Sequence, residues 1–216
     1  MKALLKKEFG FTASPLTYLF LIAAFMTLLP GYPILCGSFF VCLGIFYTFQ
    51  MAREGNDVLF SSLMPIRKKD VVRARFIFVI SIQMIAFLIN VVLTVVRMTI
   101  LADSKAYLEN ALMNANLFYL GFVLLIFAAF NLIFVAGFWK DAYRIGVPFI
   151  TSIVVIFLII AAGEALHYIP GLGFLNTPSE KILIQSAVLA AGAVIYVLAN
   201  IIGCRRSERS FETVQL

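Results

Sequence analysis

Residues 76–96 read FIFVISIQMIAFLINVVLTVV, twenty-one positions from Phe76 to Val96 without an Asp, Glu, Lys, Arg or His. Wound as a helix at 1.5 Å per residue they cover about 31 Å, close to the thickness of a bilayer's hydrocarbon core. A helix suits that solvent because it closes its own backbone hydrogen bonds. Five more uncharged stretches surround it in the chain: 15–29, 34–51, 117–138, 145–162 and 182–203. The expectation is an all-α integral membrane protein with six transmembrane helices over 15–203, preceded by residues 1–14 and followed by 204–216. Composition points the same way. The chain is 62% hydrophobic and 13% charged, against about 25% charged in a soluble domain. A water-soluble globule is excluded, and 22 Phe residues exclude disorder. The first stretch is short, so either its helix begins upstream, near Phe11 or Thr12, or the segment dips into the membrane without crossing fully.

Charge assigns the orientation. Of 17 Lys and Arg residues, Arg97, Lys105 and Lys181 fall in loops on one side of a six-span chain, and the rest fall on the other. The positive-inside rule then places both termini in the cytoplasm. The formal net charge of +6 is therefore a feature of topology. Nucleic acid as a partner is excluded, because the bases form no compact soluble module.

The first fourteen residues form an amphipathic surface helix on the helical wheel, with Lys2, Lys6 and Lys7 on one arc and Leu4, Leu5, Phe9 and Phe11 on the other. Glu8 interrupts the pattern. Such a segment is expected to lie along the cytoplasmic face of the membrane lipid, and Ser14-Pro15 supplies a cap and first-turn proline for the helix that follows. The apolar run ends Leu29-Pro30-Gly31-Tyr32-Pro33 with no small-x-small cleavage site, which reads as an uncleaved hairpin.

Enzyme signatures are missing. There is no G-x-x-x-x-G-K-[ST] loop, no H-E-x-x-H and no G-x-S-x-G. Cys36, Cys42 and Cys204 do not converge, His167 has only Glu164 near it in sequence, and no metal or cofactor site is expected. The six stretches hold no buried charge of the kind that ion-coupled carriers use, so a motive force has to come from elsewhere. Their polarity is neutral: Gln83, Asn90, Asn131, Thr151, Ser152, Gln185, Ser186 and Asn200. Interhelical hydrogen bonding is the plainer use of such groups, and Asn90 and Asn131 are the candidates for lining a pathway. Small pairs at four-residue spacing, Ala187 with Ala191 and Ala199 with Gly203, permit close helix approach. The outer loop 163–181, broken by Pro170, Gly171 and Gly173, is expected to form two short half-helices over a pathway exit or an interfacial loop anchored by Tyr168 and Phe174.

Between the second and third stretches the cytoplasmic loop carries more than a tether needs. On a helical wheel Leu59, Phe60, Leu63 and Met64 share one arc and Glu54, Asp57, Ser61 and Ser62 the other, which predicts a short amphipathic helix from Glu54 to Met64, ended by Pro65. A basic cluster follows: Arg67, Lys68, Lys69, Arg73 and Arg75. Two readings stand, an interfacial helix anchored on lipid and a docking element for a cytoplasmic protein.

The run Leu63-Met64-Pro65-Ile66-Arg67-Lys68-Lys69-Asp70-Val71-Val72-Arg73-Ala74-Arg75-Phe76 resembles the L-P-[IV]-S-R-[KR]-[ED]-[IV]-V-x-A-[KR]-[YF] segment of small bacterial ABC type-2 transporter permeases. It departs from that segment at Arg67, where a Ser or Thr is usual, so the cap for the following helix falls to Asp70 or to a partner. The resemblance implies the membrane subunit of an ATP-driven exporter in a bacterial plasma membrane. It implies a pair of permease chains, identical or related, and separate cytoplasmic ABC ATPase subunits that bind ATP and magnesium in their own chains. By position, residues 54–64 match the family's coupling helix. Cargoes in such systems include drugs, lipids and antimicrobial or amphipathic peptides, and the apolar spans here suit an amphipathic or apolar cargo. The competing reading is a non-transporting accessory or immunity-type membrane protein.

Overall fold

The computed structural model describes residues 1–140, 144–177 and 180–213, so positions 178 and 179 of the outer loop and 214–216 of the tail lie outside the described residues. The protein is an all-helical, multi-pass membrane bundle. Its elements are α1 (Lys2–Thr12), α2 (Pro15–Leu28), α3 (Cys36–Glu54), α4 (Asp57–Leu63), α5 (Lys68–Thr99), α6 (Lys105–Leu108), α7 (Leu117–Phe138), α8 (Gly146–Leu166) and α9 (Ile182–Thr213). Four of these, α5, α7, α8 and α9, are long and apolar enough to cross a membrane, and the number rises to five if α1 and α2, bent by 87°, count as one span. Six such helices are therefore not reached by length and composition, and the shortfall lies at α2 and α3.

The reason is local. Only Pro15–Leu19 of α2 is α-helical; Phe20–Leu28 is wound as a 3-10 helix. Fourteen residues of α-helix would reach about 21 Å, and drawing nine of them out to the 3-10 rise lengthens the segment to about 26 Å. The extra length matters because α2 connects both ends of the bundle. Near its start Thr17 Oγ1 donates to the Gly44 carbonyl (2.6 Å) and the Ser14 N–H to Thr48 Oγ1 (2.9 Å). Near its finish the Thr27 carbonyl accepts from Arg97 and the Leu28 carbonyl from the Tyr107 hydroxyl. The helix does not begin at Phe11 or Thr12 as expected: Ser14 caps it, accepting from the Leu16 N–H, and Pro15 opens its first turn.

At 32 residues each, α5 and α9 are about 48 Å long, well beyond the roughly 30 Å of a hydrocarbon core. Both overrun the uncharged stretches on the same side. There Lys69 pairs with Glu212 (3.2 Å), Arg73 with Glu208 (2.5 Å), and Lys68 Nζ sits 5.3 Å from the Phe211 ring centroid. Residues 204–213 are thus the continuation of α9 and no separate tail. The outer loop also differs from expectation. Residues 163–166 complete α8, and among the described residues of the loop a 3-10 turn, Gly173–Asn176, stands where two half-helices were one of the expectations. That turn is strapped down by amides: Asn116 Nδ2 donates to the Leu175 carbonyl (2.6 Å), the Asn114 N–H to Asn176 Oδ1 (2.6 Å), and Gln185 Nε2 to the Phe174 and Thr177 carbonyls (3.0 Å each).

The most intimate helix pair is α7 with α9. It depends on two facing glycines, since a Cβ on Gly192 would stand 2.6 Å from the Gly121 carbonyl oxygen. Of the small pairs read from sequence, Ala199 and Gly203 face inward, whereas Ala187 and Ala191 are exposed. Because backbone cannot move aside as a side-chain tip can, Gly192→Ala is expected to cost about 1–3 kcal/mol. In detergent this should lower the thermal midpoint, and Ala191→Val on the exposed face should leave it within error.

Candidate functional site

The short helix α4 is placed by charge. Asp57 opens it, and the Asp57 carboxylate takes Lys7 Nζ at 2.5 Å and Arg75 Nη2 at 2.8 Å. Arg75 also bonds the Glu8 carboxylate through Nε, and both of those side chains are fully buried. Lys7 Nζ donates further to Ser61 Oγ (2.7 Å) and lies 3.8 Å from Glu8. Two cations and two carboxylates thus join three elements: the C-terminal half of α1, the first turn of α4, and the basic end of α5. Arg75 Cζ lies 5.3 Å from the Phe49 ring centroid, which adds α3 to the cluster.

This geometry fixes the phase of α4, and the phase is not the expected one. Val58 and Ser61 point into the protein, being 5% and 2% exposed, while Phe60 (57%), Leu63 (77%) and Met64 (38%) stand outside. Ser61, expected on the solvent arc with Glu54 and Asp57, is part of the charge cluster. Leu59, expected with Phe60 and Leu63, is half-buried. Glu54 is not in this helix at all. It ends α3, accepts from Gln50 Nε2 (3.0 Å) and pairs with Arg53 (3.7 Å). The turn between them passes through Asn56 at φ 49°, a left-handed position that a short polar residue tolerates. At the other end Met64 is extended, as the residue before Pro65 must be. A cavity of about 480 Å³ lies beside the exposed side chains, walled by Lys7, Phe11, Met51, Asp57, Phe60 and Met64.

The basic cluster divides. Arg67 is held by Asp70 at 3.0 Å, and Lys69 and Arg73 are spent on the α9 carboxylates already described. Arg75 is not a surface charge but the buried centre of the cluster. Sequence reading missed Glu8 and Lys7 as partners. The signal available was Glu8 itself, an acid in the apolar arc of an otherwise regular amphipathic helix, which in a membrane setting calls for a cation.

Asn90 and Asn131 lie deep in the bundle, 1% and 0% exposed. Asn131 forms a reciprocal amide pair with Gln83 (2.9 and 2.8 Å) and donates to Asn200 Oδ1 (2.9 Å); the Tyr196 hydroxyl closes the group on Gln83 Oε1 (2.9 Å). A π-helical turn, Asn131–Val135, interrupts α7 at this point, and the four side chains tie α5, α7 and α9 together. Asn90 Oδ1 accepts from Thr27 (3.1 Å), whose hydroxyl also meets that of Tyr119 (3.0 Å), while Asn90 Nδ2 has no partner among the described residues.

The family profile described as ABC-2 family transporter protein matches residues 3–206. The chain belongs to that family, whose members are non-catalytic permease domains. No curated protein and no solved structure matches it.

Removing one member of a buried pair leaves an uncompensated charge, which costs about 3–5 kcal/mol. Glu8→Gln and Arg75→Gln should each lower the melting midpoint in detergent strongly. Glu8→Leu combined with Arg75→Met, which removes both charges together, should recover part of the loss. If the double variant is as unstable as the sum of the singles, the two side chains are not coupled.

Proposed function

With membership of the ABC-2 transporter family as premise, we propose that this chain is the membrane-spanning permease subunit of an ATP-driven exporter and that α4 is the element on which a separate ATPase docks. The observation that carries this reading is an apolar trio, Phe60, Leu63 and Met64, left exposed on a short helix whose polar face is clamped to α1 and α5. A helix held rigidly and showing apolar side chains away from the protein is suited to insertion into a groove of a partner. The clamp would pass a displacement of α4 directly to α1 and to the end of a 32-residue helix.

In this reading α2 and α3 also cross the bilayer, giving six spans, with both termini, α4 and the α5–α9 clasp in the cytoplasm of a bacterial cell. The basic imbalance supports that orientation, and so do the contacts of α1 and of the described end of α9 with the start of α5. A second permease chain, identical or related, completes the pathway through the N-terminal hairpin and α8, and Asn90 is the candidate for lining it. The cargo is amphipathic or apolar, a peptide, drug or lipid. ATP and magnesium belong to the ATPase.

Burial of a Leu or Phe side chain stabilises by roughly 1.5–3 kcal/mol, whereas one exposed charge contributes under about 1 kcal/mol. Phe60→Ser with Leu63→Ser should therefore abolish co-purification of the partner ATPase and end cargo-stimulated ATP hydrolysis, with membrane insertion intact. Lys68→Gln with Lys69→Gln should weaken coupling mildly and mostly at low salt. The reverse ranking would mark α4 as a lipid anchor and favour the non-transporting accessory reading. For orientation, a cysteine at Lys105 should react with a membrane-impermeant reagent in intact cells and one at Arg206 should not.

A further inference from the structure

At the end of the bundle away from α4, Arg97 is 4% exposed. Among the described residues it makes no ion pair. Its Nη1 donates to the Thr27 carbonyl and Nη2 to Asn114 Oδ1, both at 2.9 Å, and its Cζ lies 4.1 Å from the Tyr107 ring centroid. These neutral contacts orient the guanidinium and leave its charge without a counter-ion, which a buried cation normally requires. A guanidinium carries five N–H donors, so donors remain for another acceptor.

The side chain borders a cavity of about 270 Å³ that Tyr107, Asn110, Asn114, Asn176 and Thr177 also line, with no acidic residue on its wall among the described residues. Asn110 Nδ2 is buried there and has no acceptor among the described residues. Gly173 forms part of the wall, and a Cβ built on it meets nothing within 4 Å, so that side is open. A buried cation without a counter-ion and an amide donor without an acceptor, both among the described residues and both on one cavity, lack the same thing, an oxyanion.

We propose that this cavity is an oxyanion site that takes one phosphate or carboxylate group, with Arg97 as charge partner and the Asn110 amide as second donor. The volume suits a headgroup or a small free anion and excludes an acyl chain. On the cytoplasmic orientation of α4 proposed above, the site faces outward. Binding itself does not depend on that orientation or on ATPase docking, so the two proposals fail separately.

The test uses the full chain in phosphatidylcholine nanodiscs. Inorganic phosphate is titrated into one series, and phosphatidylglycerol replaces phosphatidylcholine stepwise in another, with the thermal midpoint followed in both. The expected result is a saturable rise. A response to phosphate identifies a free anion as sufficient, and a response to phosphatidylglycerol alone identifies a lipid headgroup. Either response should weaken about tenfold or more in Arg97→Gln, which removes the charge-assisted contact. It should also vanish in Ala102→Phe, which fills the cavity from its wall without altering Arg97. Should Arg97→Gln fail to fold, Ala102→Phe decides. No saturable response to either anion, or one that persists in Ala102→Phe, overturns the proposal.

Discussion

The ion quartet of Lys7, Glu8, Asp57 and Arg75, buried at its Glu8–Arg75 centre, is the constraint on which the arrangement of this end of the bundle depends. Its charges balance, two against two, and Glu8 and Arg75 are wholly removed from solvent. Ions in such a place are tolerated only when paired and hydrogen-bonded, and any displacement of one partner exposes the full desolvation cost of the other. The quartet therefore acts as a positional lock more than as a source of stability. It holds α1 across the end of the bundle, 87° from α2, and it turns α4 so that Val58 and Ser61 face in and Phe60 and Leu63 face out.

Within the bundle, cohesion takes a different form. Apolar helices gain little from packing against one another when the alternative is lipid, so close backbone approach and interhelical hydrogen bonds matter more. Gly121 against Gly192 supplies the first, and the group of Gln83, Asn131, Tyr196 and Asn200 supplies the second. The π turn at Asn131–Val135 adds a residue to one turn of α7 in the same place, a feature often found where a helix serves function. These contacts tie α5, α7 and α9 together, and Arg75 clamps α4 to the basic end of α5.

Much of this was legible in the sequence. The uncharged stretch 76–96 located α5, and the stretches at 117–138, 145–162 and 182–203 located α7, α8 and α9, because hydropathy is the constraint lipid enforces most strictly. Helix ends were less legible. Residues 68–75 and 204–213 are charged, yet they remain helical because Lys69, Arg73, Glu208 and Glu212 satisfy one another across the two helices. The phase of α4 was misread for a related reason. A seven-residue helix has too few positions for its own pattern to decide which face is buried. The decision comes from Glu8 and Arg75, 67 positions apart in the chain, a pairing that no local pattern reveals. The 3-10 winding of Phe20–Leu28 likewise has no signature in its local apolar pattern.

In the function proposed here the ion quartet presents Phe60 and Leu63 to an ATPase. The most direct measurement places a photo-crosslinking residue at position 60 or 63 in cells, in the native background and in Glu8→Gln, and identifies the adducts. The expected result is an adduct with the ATPase at both positions in the native background and its loss or marked reduction in Glu8→Gln at equal membrane abundance. Adducts formed chiefly with lipid, or ATPase adducts indifferent to the Glu8 substitution, would contradict it.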